Sequence, residues 1–149
     1  MLVPPPLLFA LPLIAGIFLH RRIPLLHAPA SVTKVLGWIG GMLILTGALH
    51  VSSSVALFLR SGTTIIPHGR PSALVERGAY RWTRNPMYVG LTLIYLGVSA
   101  LTSAVWALFL LPLPLTVIDR RVIPTEEGQL ERSFGPAYAA YRQRVRRWL

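Results

Sequence analysis

Cysteine is absent from the chain, which excludes a disulfide framework, a thiolate metal site and a cysteine nucleophile. Acidic residues are also scarce: five Asp and Glu stand against fifteen Lys and Arg, and the formal net charge is +10. Charged residues of both signs make up only 13% of the sequence, compared with about 25% in soluble domains, whereas 53% of the residues are hydrophobic. The composition therefore predicts a membrane protein.

Strong positive charge often indicates nucleic-acid binding, but here the basic residues lie beside long apolar segments. Anionic lipid head groups are the partners that this arrangement favours, so we predict contacts with membrane lipids and no nucleic-acid partner. The four histidines are scattered along the sequence and predict no metal site.

Three long apolar runs carry no charge, and the third, residues 87–118, has 32 residues. A single helix of that length would measure about 48 Å, against a hydrocarbon core of about 30 Å. We therefore divide this run near Leu101 into a tight hairpin of two helices. The expected transmembrane spans are residues 2–19, 35–59, 87–101 and 103–118.

These spans predict an all-α integral membrane protein in which residues 1–149 form one domain, with four transmembrane helices and a C-terminal amphipathic cytoplasmic helix. A cleaved signal peptide is disfavoured because two arginines follow the first apolar run instead of preceding it. Four spans put residues 60–86 and 119–149 on one side of the membrane with twelve basic residues, and residues 20–34 on the other side with three. The positive-inside rule then predicts cytoplasmic N- and C-termini.

The segment after the last span predicts a helix that begins near Thr125, a potential N-cap followed by two glutamates that suit the positive end of the helix dipole. Gly135 and Pro136 should break or kink this helix. Beyond them, aromatic and apolar residues recur on one helical face: Tyr138, Tyr141, Val145 and Trp148. Such a face is typical of a helix that lies at the membrane surface.

A basic and aromatic stretch, residues 78–90, runs directly into the third apolar run, and Glu126 and Glu127 follow the last span. Arginines, aromatics and paired carboxylates are costly at the mouth of a membrane segment, so they indicate a site. The stretch also fits a plain interfacial helix start, with Asn85 as the cap and Pro86 in the first turn. In the functional interpretation the same helix N-terminus binds a ligand carboxylate. The residues alone leave both interpretations open.

Four motifs occur in a fixed order between residues 63 and 148. They are Leu74-Val75-Glu76-Arg77-Gly78-Ala79-Tyr80, then Arg84-Asn85-Pro86-Met87-Tyr88, then Glu126-Glu127, then Phe134-Gly135-Pro136-Ala137-Tyr138-Ala139-Ala140-Tyr141. Their order and spacing resemble the small integral-membrane methyltransferases that include isoprenylcysteine carboxyl methyltransferase and the phosphatidylethanolamine N-methyltransferases. Each motif is weak alone, and the ordered set is specific.

The resemblance implies an enzyme that uses S-adenosyl-L-methionine and releases S-adenosyl-L-homocysteine. The implied acceptor is an amphiphilic or prenylated molecule entering from the bilayer, with isoprenylcysteine carboxyl O-methylation as the first expectation and phospholipid N-methylation as the alternative. The implied catalytic residues are Arg121 and Glu126. The implied cofactor-binding residues are Ser72, Ala73, Leu74, Val75, Tyr80, Arg84, Asn85, Pro86, Met87, Tyr88, Glu126, Glu127 and Tyr138.

Two positions depart from the family pattern. Asn85 stands where the pattern most often has histidine, and an amide can exchange hydrogen bonds but cannot titrate near pH 7. An arginine expected one helical turn before the first glutamate is replaced by Val122, with Arg121 one residue away. The resemblance therefore specifies the cofactor better than the acceptor.

Two other functions compete with a methyltransferase. A membrane reductase that uses NADPH would share a related helical core, but the chain is short and has few polar residues to spare for a second phosphate-bearing ligand. A non-enzymatic membrane subunit would leave the ordered motifs unexplained. The identity of the acceptor and the oligomeric state stay open at this level.

Overall fold

The computed structural model describes residues 3–26, 28–62 and 73–149, and within these ranges the chain is helical and has no β-strand. The all-α prediction is confirmed for these ranges. The described helices are α1 Pro5–Arg22, α2 Ala30–Arg60, α3 Pro86–Leu101, α4 Val105–Leu110, α5 Pro112–Val117, α6 Ile123–Phe134 and α7 Pro136–Arg144. A 3₁₀ turn, Gly78–Arg81, precedes α3, and a π-helical turn, Ile118–Val122, joins α5 to α6.

Helices α2 and α3 pack against each other in antiparallel orientation through two pairs of glycines. A Cβ atom at Gly47 would lie 2.6 Å from the carbonyl oxygen of Gly90, and one at Gly40 would lie 2.6 Å from that of Gly97. Small residues that allow such close backbone approach are typical of helix pairs in membranes. Gly41 of the same helix α2 has nothing within 4 Å of the equivalent position, so it faces away from the contact.

Helix α1 packs against α3 and α4, with Phe9 and Tyr95 in edge-to-face contact at a centroid distance of 6.4 Å. The Tyr95 hydroxyl donates a 2.8 Å hydrogen bond to the Ala107 carbonyl oxygen and so ties α3 to α4. At the far end of the bundle, the Trp106 indole donates a 2.8 Å bond to the Ile23 carbonyl oxygen just beyond α1. These contacts make α3 the central helix.

Large apolar side chains cover the outside of the surrounding helices. Exposed examples on α1, α2 and α4 are Leu11, Ile14, Trp38, Met42, Leu45 and Phe109. Among the helices of the described ranges, Ala30–Arg60 is long and apolar enough by itself to cross a membrane, and the apolar helix Pro86–Leu101 is shorter.

The break expected inside the third apolar run occurs where the length argument puts it. Helix α3 ends at Leu101, Ser103 adopts a left-handed conformation with φ 50°, and α4 begins at Val105. A second interruption at Leu111 precedes the proline that opens α5. The third run is thus not one continuous helix.

The segment after α5 differs from the single capped surface helix that its sequence predicts. Helix α6 begins at Ile123, directly after the π-helical turn, and Thr125 does not cap it; its hydroxyl donates a 2.7 Å bond back to the Arg121 carbonyl oxygen. The predicted break is confirmed, because Gly135 ends α6 with φ 46°, a conformation that favours glycine, and α7 follows.

The prediction that the aromatic face of this segment lies on the membrane surface is wrong for its two tyrosines. Tyr138 and Tyr141 of α7 are buried against Leu74, Leu130 and Phe134. Trp148 lies beyond the end of α7 and packs instead on the core formed by α1, α3 and α4. These aromatic side chains therefore pack against protein rather than against lipid.

Candidate active site

A cavity of about 420 Å³ lies at the end of the bundle where α1 begins, α2 ends and α3 begins. One wall is apolar and is formed by Pro5, Pro6, Val51, Phe58 and Leu91. The rest of the lining includes a polar wall of tyrosines, an arginine, an asparagine and two glutamates, from the turn before α3 and from α3, α6 and α7. The cavity therefore offers an apolar half and a polar half to one ligand or to two adjacent ligands.

The structure brings most of the predicted site residues together around this cavity. Those in its lining are Ala73, Leu74, Val75, Tyr80, Arg84, Asn85, Met87, Tyr88, Glu126, Glu127 and Tyr138. Pro86 is fully buried in the first turn of α3 and is not in the lining. Arg121 is exposed on the π-helical turn, also outside the lining, and Ser72 lies outside the described residues.

Glu126 accepts a 2.8 Å hydrogen bond from the hydroxyl of Tyr88 through its Oε1 atom. Burial raises the pKa of the Glu126 carboxyl above its ordinary value of 4.5; the Tyr88 bond opposes this shift and the nearby charge of Glu127 adds to it. Among the described residues no cation forms an ion pair with Glu126. Glu126 is therefore the carboxylate of the cavity with acceptor capacity left for a ligand.

Glu127 has a different environment, because two arginines hold it. Arg84 Nη1 lies 2.8 Å from Glu127 Oε1, and Arg147 Nη2 lies 2.8 Å from Glu127 Oε2, with a further bond of 3.3 Å from Arg147 Nε to Oε1. Bidentate pairing of this kind fixes both the charge and the orientation of a carboxylate. The two adjacent glutamates thus divide into one that faces the cavity and one that is clamped.

Of the described residues that line the cavity, Arg84 is the cation, and it is already engaged. Besides Glu127, its Nη1 atom donates a 3.2 Å bond to the hydroxyl of Tyr138. Its Nε atom is buried and has no partner in the described part of the chain. Arg84 therefore joins the start of α3 to α6 and α7 and retains one free donor.

Asn85 does not cap α3, in contrast to the interpretation of this turn as a plain helix start. Its side-chain Nδ2 atom donates a 2.8 Å bond to the Arg147 carbonyl oxygen, and its backbone N–H donates a 3.2 Å bond to the Thr83 hydroxyl. At the position where the family pattern has histidine, this chain therefore uses an amide donor to fasten a distant segment.

The tyrosines of the polar wall are held in fixed orientations. Tyr80 packs edge-to-face on Phe58 of α2 at a centroid distance of 5.4 Å, and its backbone carbonyl accepts a 2.8 Å bond from the Tyr141 hydroxyl. Burial raises the pKa of Tyr80, Tyr138 and Tyr141, so these phenols are neutral at physiological pH. Their rings offer electron-rich faces to a cationic ligand.

Sequence reasoning missed part of the apolar lining of the cavity and one arginine that supports its polar wall. Pro5, Pro6, Val51 and Phe58 lie within apolar runs, where nothing in the local pattern distinguishes a lining residue from a lipid-facing one. Arg147 is one of several arginines near residue 145, and its role depends on Glu127, twenty positions away. Only the fold distinguishes it from its neighbours.

A family model described as phospholipid methyltransferase matches residues 35–137, about two thirds of the chain, from within α2 to the start of α7. No curated protein and no solved structure matches the chain.

Proposed function

The chain belongs to the phospholipid methyltransferase family, and from that membership we propose that it transfers a methyl group from S-adenosyl-L-methionine to an amine-headed lipid. The observation that carries this proposal is one cavity that combines an apolar wall with tyrosines and with the carboxylate of Glu126, which forms no ion pair among the described residues. Both halves are needed, because the acceptor is apolar in its tail and the cofactor is polar and cationic.

The polar wall has the chemistry that the cofactor requires. Rings of Tyr80, Tyr88 and Tyr138 attract a sulfonium cation, and Glu126 can accept a bond from an amino or ribose hydroxyl group. The N-terminus of α3 adds a positive dipole end for a carboxylate. When bound, S-adenosylmethionine supplies an activated methyl group on sulfur.

The residues of the chain contribute positioning and exclusion of water. Direct methyl transfer is an in-line displacement, so its rate depends on how well the acceptor and the methyl group are aligned. Pro5, Phe58 and Leu91 form a dry wall on the side where an acceptor tail would lie. The ion pair of Arg84 with Glu127 keeps the polar wall rigid.

The charges of the lining favour an amine over a carboxylate as the acceptor. Arg84, its cation, is neutralised by Glu127, whereas Glu126 has no ion pair among the described residues. An ammonium head group must lose a proton before its nitrogen lone pair can attack the methyl carbon. Glu126 can take that proton, and its raised pKa makes the carboxylate a better acceptor than an ordinary glutamate.

A prenylated cysteine carboxylate is the second candidate acceptor. It is favoured by the motif order of residues 74–141, which is shared with the carboxyl-methylating members of the wider family. Such an acceptor needs no proton removal, and the free Nε atom of Arg84 would be its partner.

Incubation of purified protein with S-adenosylmethionine labelled on its methyl group tests the proposal. In vesicles that contain phosphatidylethanolamine we expect label in the lipid fraction, and in vesicles of phosphatidylcholine alone we expect none. A farnesylated cysteine analogue, tested in parallel, should accept less label. Stronger labelling of that analogue would replace the amine by the carboxylate acceptor, and binding of NADPH without binding of S-adenosylhomocysteine would overturn the methyltransferase proposal.

The proposal includes four membrane crossings with the cavity at the cytoplasmic face. The first residues of α1, the end of α2, the start of α3 and α6 all meet at the cavity, as four alternating spans require. Residues 105–122 add 18 helical residues, or about 27 Å, close to the thickness of the hydrocarbon core. The apolar outer surfaces of α1, α2 and α4 also support immersion in lipid.

Reporter fusions test this arrangement. A reporter fused after Leu149 should be active on the cytoplasmic side, and one inserted near Ala28 should be active on the opposite side, because the basic residues are concentrated at the cavity end. If both reporters are active on the same side, the number of crossings between them is even and the four-span arrangement is wrong.

A further inference from the structure

We propose that residues 145–148 form a strap that holds the polar wall of the cavity together, and that Arg147 is a positioning residue acting through Glu127. The strap follows α7 and contacts three separate parts of the site. Nothing in the motif pattern assigns a role to these residues. The inference rests on the proposed function only where ligand binding is measured.

The backbone of the strap runs alongside the turn that precedes α3. Val145 leaves α7 in an extended conformation, and Arg146 forms an isolated parallel bridge with Thr83. The Arg84 N–H donates a 2.9 Å bond to the Arg146 carbonyl oxygen, and the Thr83 hydroxyl donates a 3.1 Å bond to the Arg147 carbonyl oxygen. The Asn85 side-chain amide donates to the same Arg147 carbonyl oxygen. Three consecutive residues, 83–85, therefore bind the strap.

The side chains of the strap extend this connection to α6 and to the π-helical turn. The Arg147 guanidinium binds both oxygens of Glu127 and lies 3.4 Å from Asp119 Oδ1. The Trp148 indole donates a 2.9 Å bond to the same Asp119 oxygen. The strap thus joins the start of α3, the turn after α5 and the glutamate pair of α6.

As a result, Glu127 is held by arginines while Glu126 stays available to a ligand. With Arg147 in place, Glu127 is neutralised and oriented, and its exposed side-chain fraction is only 11%. Without Arg147, Arg84 alone would have to balance a mostly buried carboxylate beside Glu126. The backbone bonds of the strap would remain, but its side-chain link to α6 would be lost, and the turn that carries Asn85 would be held less firmly.

The chain offers a matched control one position earlier. Arg146 has the same side chain on the same strap, but it is exposed and makes only backbone contacts among the described residues. Replacing Arg146 by Met removes one positive charge without touching Glu127, whereas Arg147→Met removes the clamp.

The first measurement needs no ligand. Amide hydrogen exchange of the full chain in nanodiscs should show residues 83–88 exchanging at least about tenfold faster in Arg147→Met than in the parent, and unchanged in Arg146→Met. Equal exchange rates of residues 83–88 in the two variants would overturn the proposal that Arg147 holds this turn. If Arg147→Met does not fold, Arg147→Lys takes its place, because an ammonium can keep one of the bonds to Glu127 and should show a smaller acceleration in the same segment.

The second measurement separates positioning through Glu127 from a general structural role. Arg147→Met should weaken S-adenosylhomocysteine binding several-fold in the parent, but not when Glu127→Gln is already present, because contacting residues in one network are non-additive. Equal losses in both backgrounds would show that Arg147 does not act through Glu127. A parent that binds no S-adenosylhomocysteine would refute the proposed function, and the exchange measurement would still decide the strap.

Discussion

Glu126→Gln should weaken S-adenosylhomocysteine binding by about 10- to 150-fold, the equivalent of one charge-assisted hydrogen bond of about 1.5–3 kcal/mol. Within the described residues, Glu126 is the carboxylate of the cavity that no arginine holds, and one of its oxygens accepts the Tyr88 hydroxyl while the other has no partner there. Glutamine keeps the shape and the bond to Tyr88 but loses the charge. Isothermal titration of the purified variant measures the change directly.

Glu76→Gln is the matched control for this prediction. Glu76 is paired with Arg144 at 2.8 Å, but the side chains are 36% and 65% exposed, so solvent screens the pair, and Glu76 lies outside the cavity lining. Normal binding by Glu126→Gln would mean that Glu126 serves only the dipole at the start of α6. Both variants must keep the parent's thermal midpoint for the comparison to hold.

The pH dependence of the same measurement gives an independent check. Burial holds the pKa of Glu126 above 4.5, so below that raised value the carboxyl is protonated and cannot accept a charge-assisted bond. Affinity for S-adenosylhomocysteine should therefore rise as the pH increases from about 4.5 through the raised pKa and then level off. In Glu126→Gln this rise should be absent.

Gly47→Ala should destabilise the protein by about 1–3 kcal/mol, the usual cost of overpacking. The added methyl carbon would lie 2.6 Å from the Gly90 carbonyl oxygen and 3.0 Å from the backbone nitrogen of Ile94, neither of which can move without shifting α3. A lower thermal midpoint in detergent is the expected result. Since α3 also carries Tyr88, cofactor affinity should fall with it.

Gly41→Ala is the control within the same helix. Nothing lies within 4 Å of a Cβ atom at Gly41, and alanine favours helix over glycine by about 0.5–1 kcal/mol, so this variant should be neutral or slightly stabilised. If the two alanine variants have the same thermal midpoint, the close approach of α2 and α3 does not limit stability.

The helix breaks were predictable because they depend on local chemistry and length. A run of 32 apolar residues exceeds one membrane crossing, and Gly135 followed by Pro136 cannot continue a helix, so the ends of α3 and α6 follow from the sequence. The role of Thr125 was not predictable in this way, because a threonine before two glutamates looks the same whether a helix starts there or has already started two residues earlier.

Features that depend on distant partners could not be read from spacing. The aromatic face of Tyr138 and Tyr141 has the period of a helix whatever covers it, and its partner Leu74 is more than sixty residues away. Likewise, the sequence alone does not distinguish which of the adjacent residues Glu126 and Glu127 binds a ligand. They differ only because the fold brings Arg84 and Arg147 to one of them.

The strap also sets an order in which the molecule can mature. Its bonds to Thr83 and Asn85 span 64 and 62 positions, so the ribosome must release all the helices before residues 145–148 can reach the turn before α3. The glycine contact of α2 with α3 can form much earlier during synthesis. A chain interrupted after α5 could therefore assemble its first helices and still be unable to retain a cofactor, so competence for binding depends on the synthesis of residues 145–148.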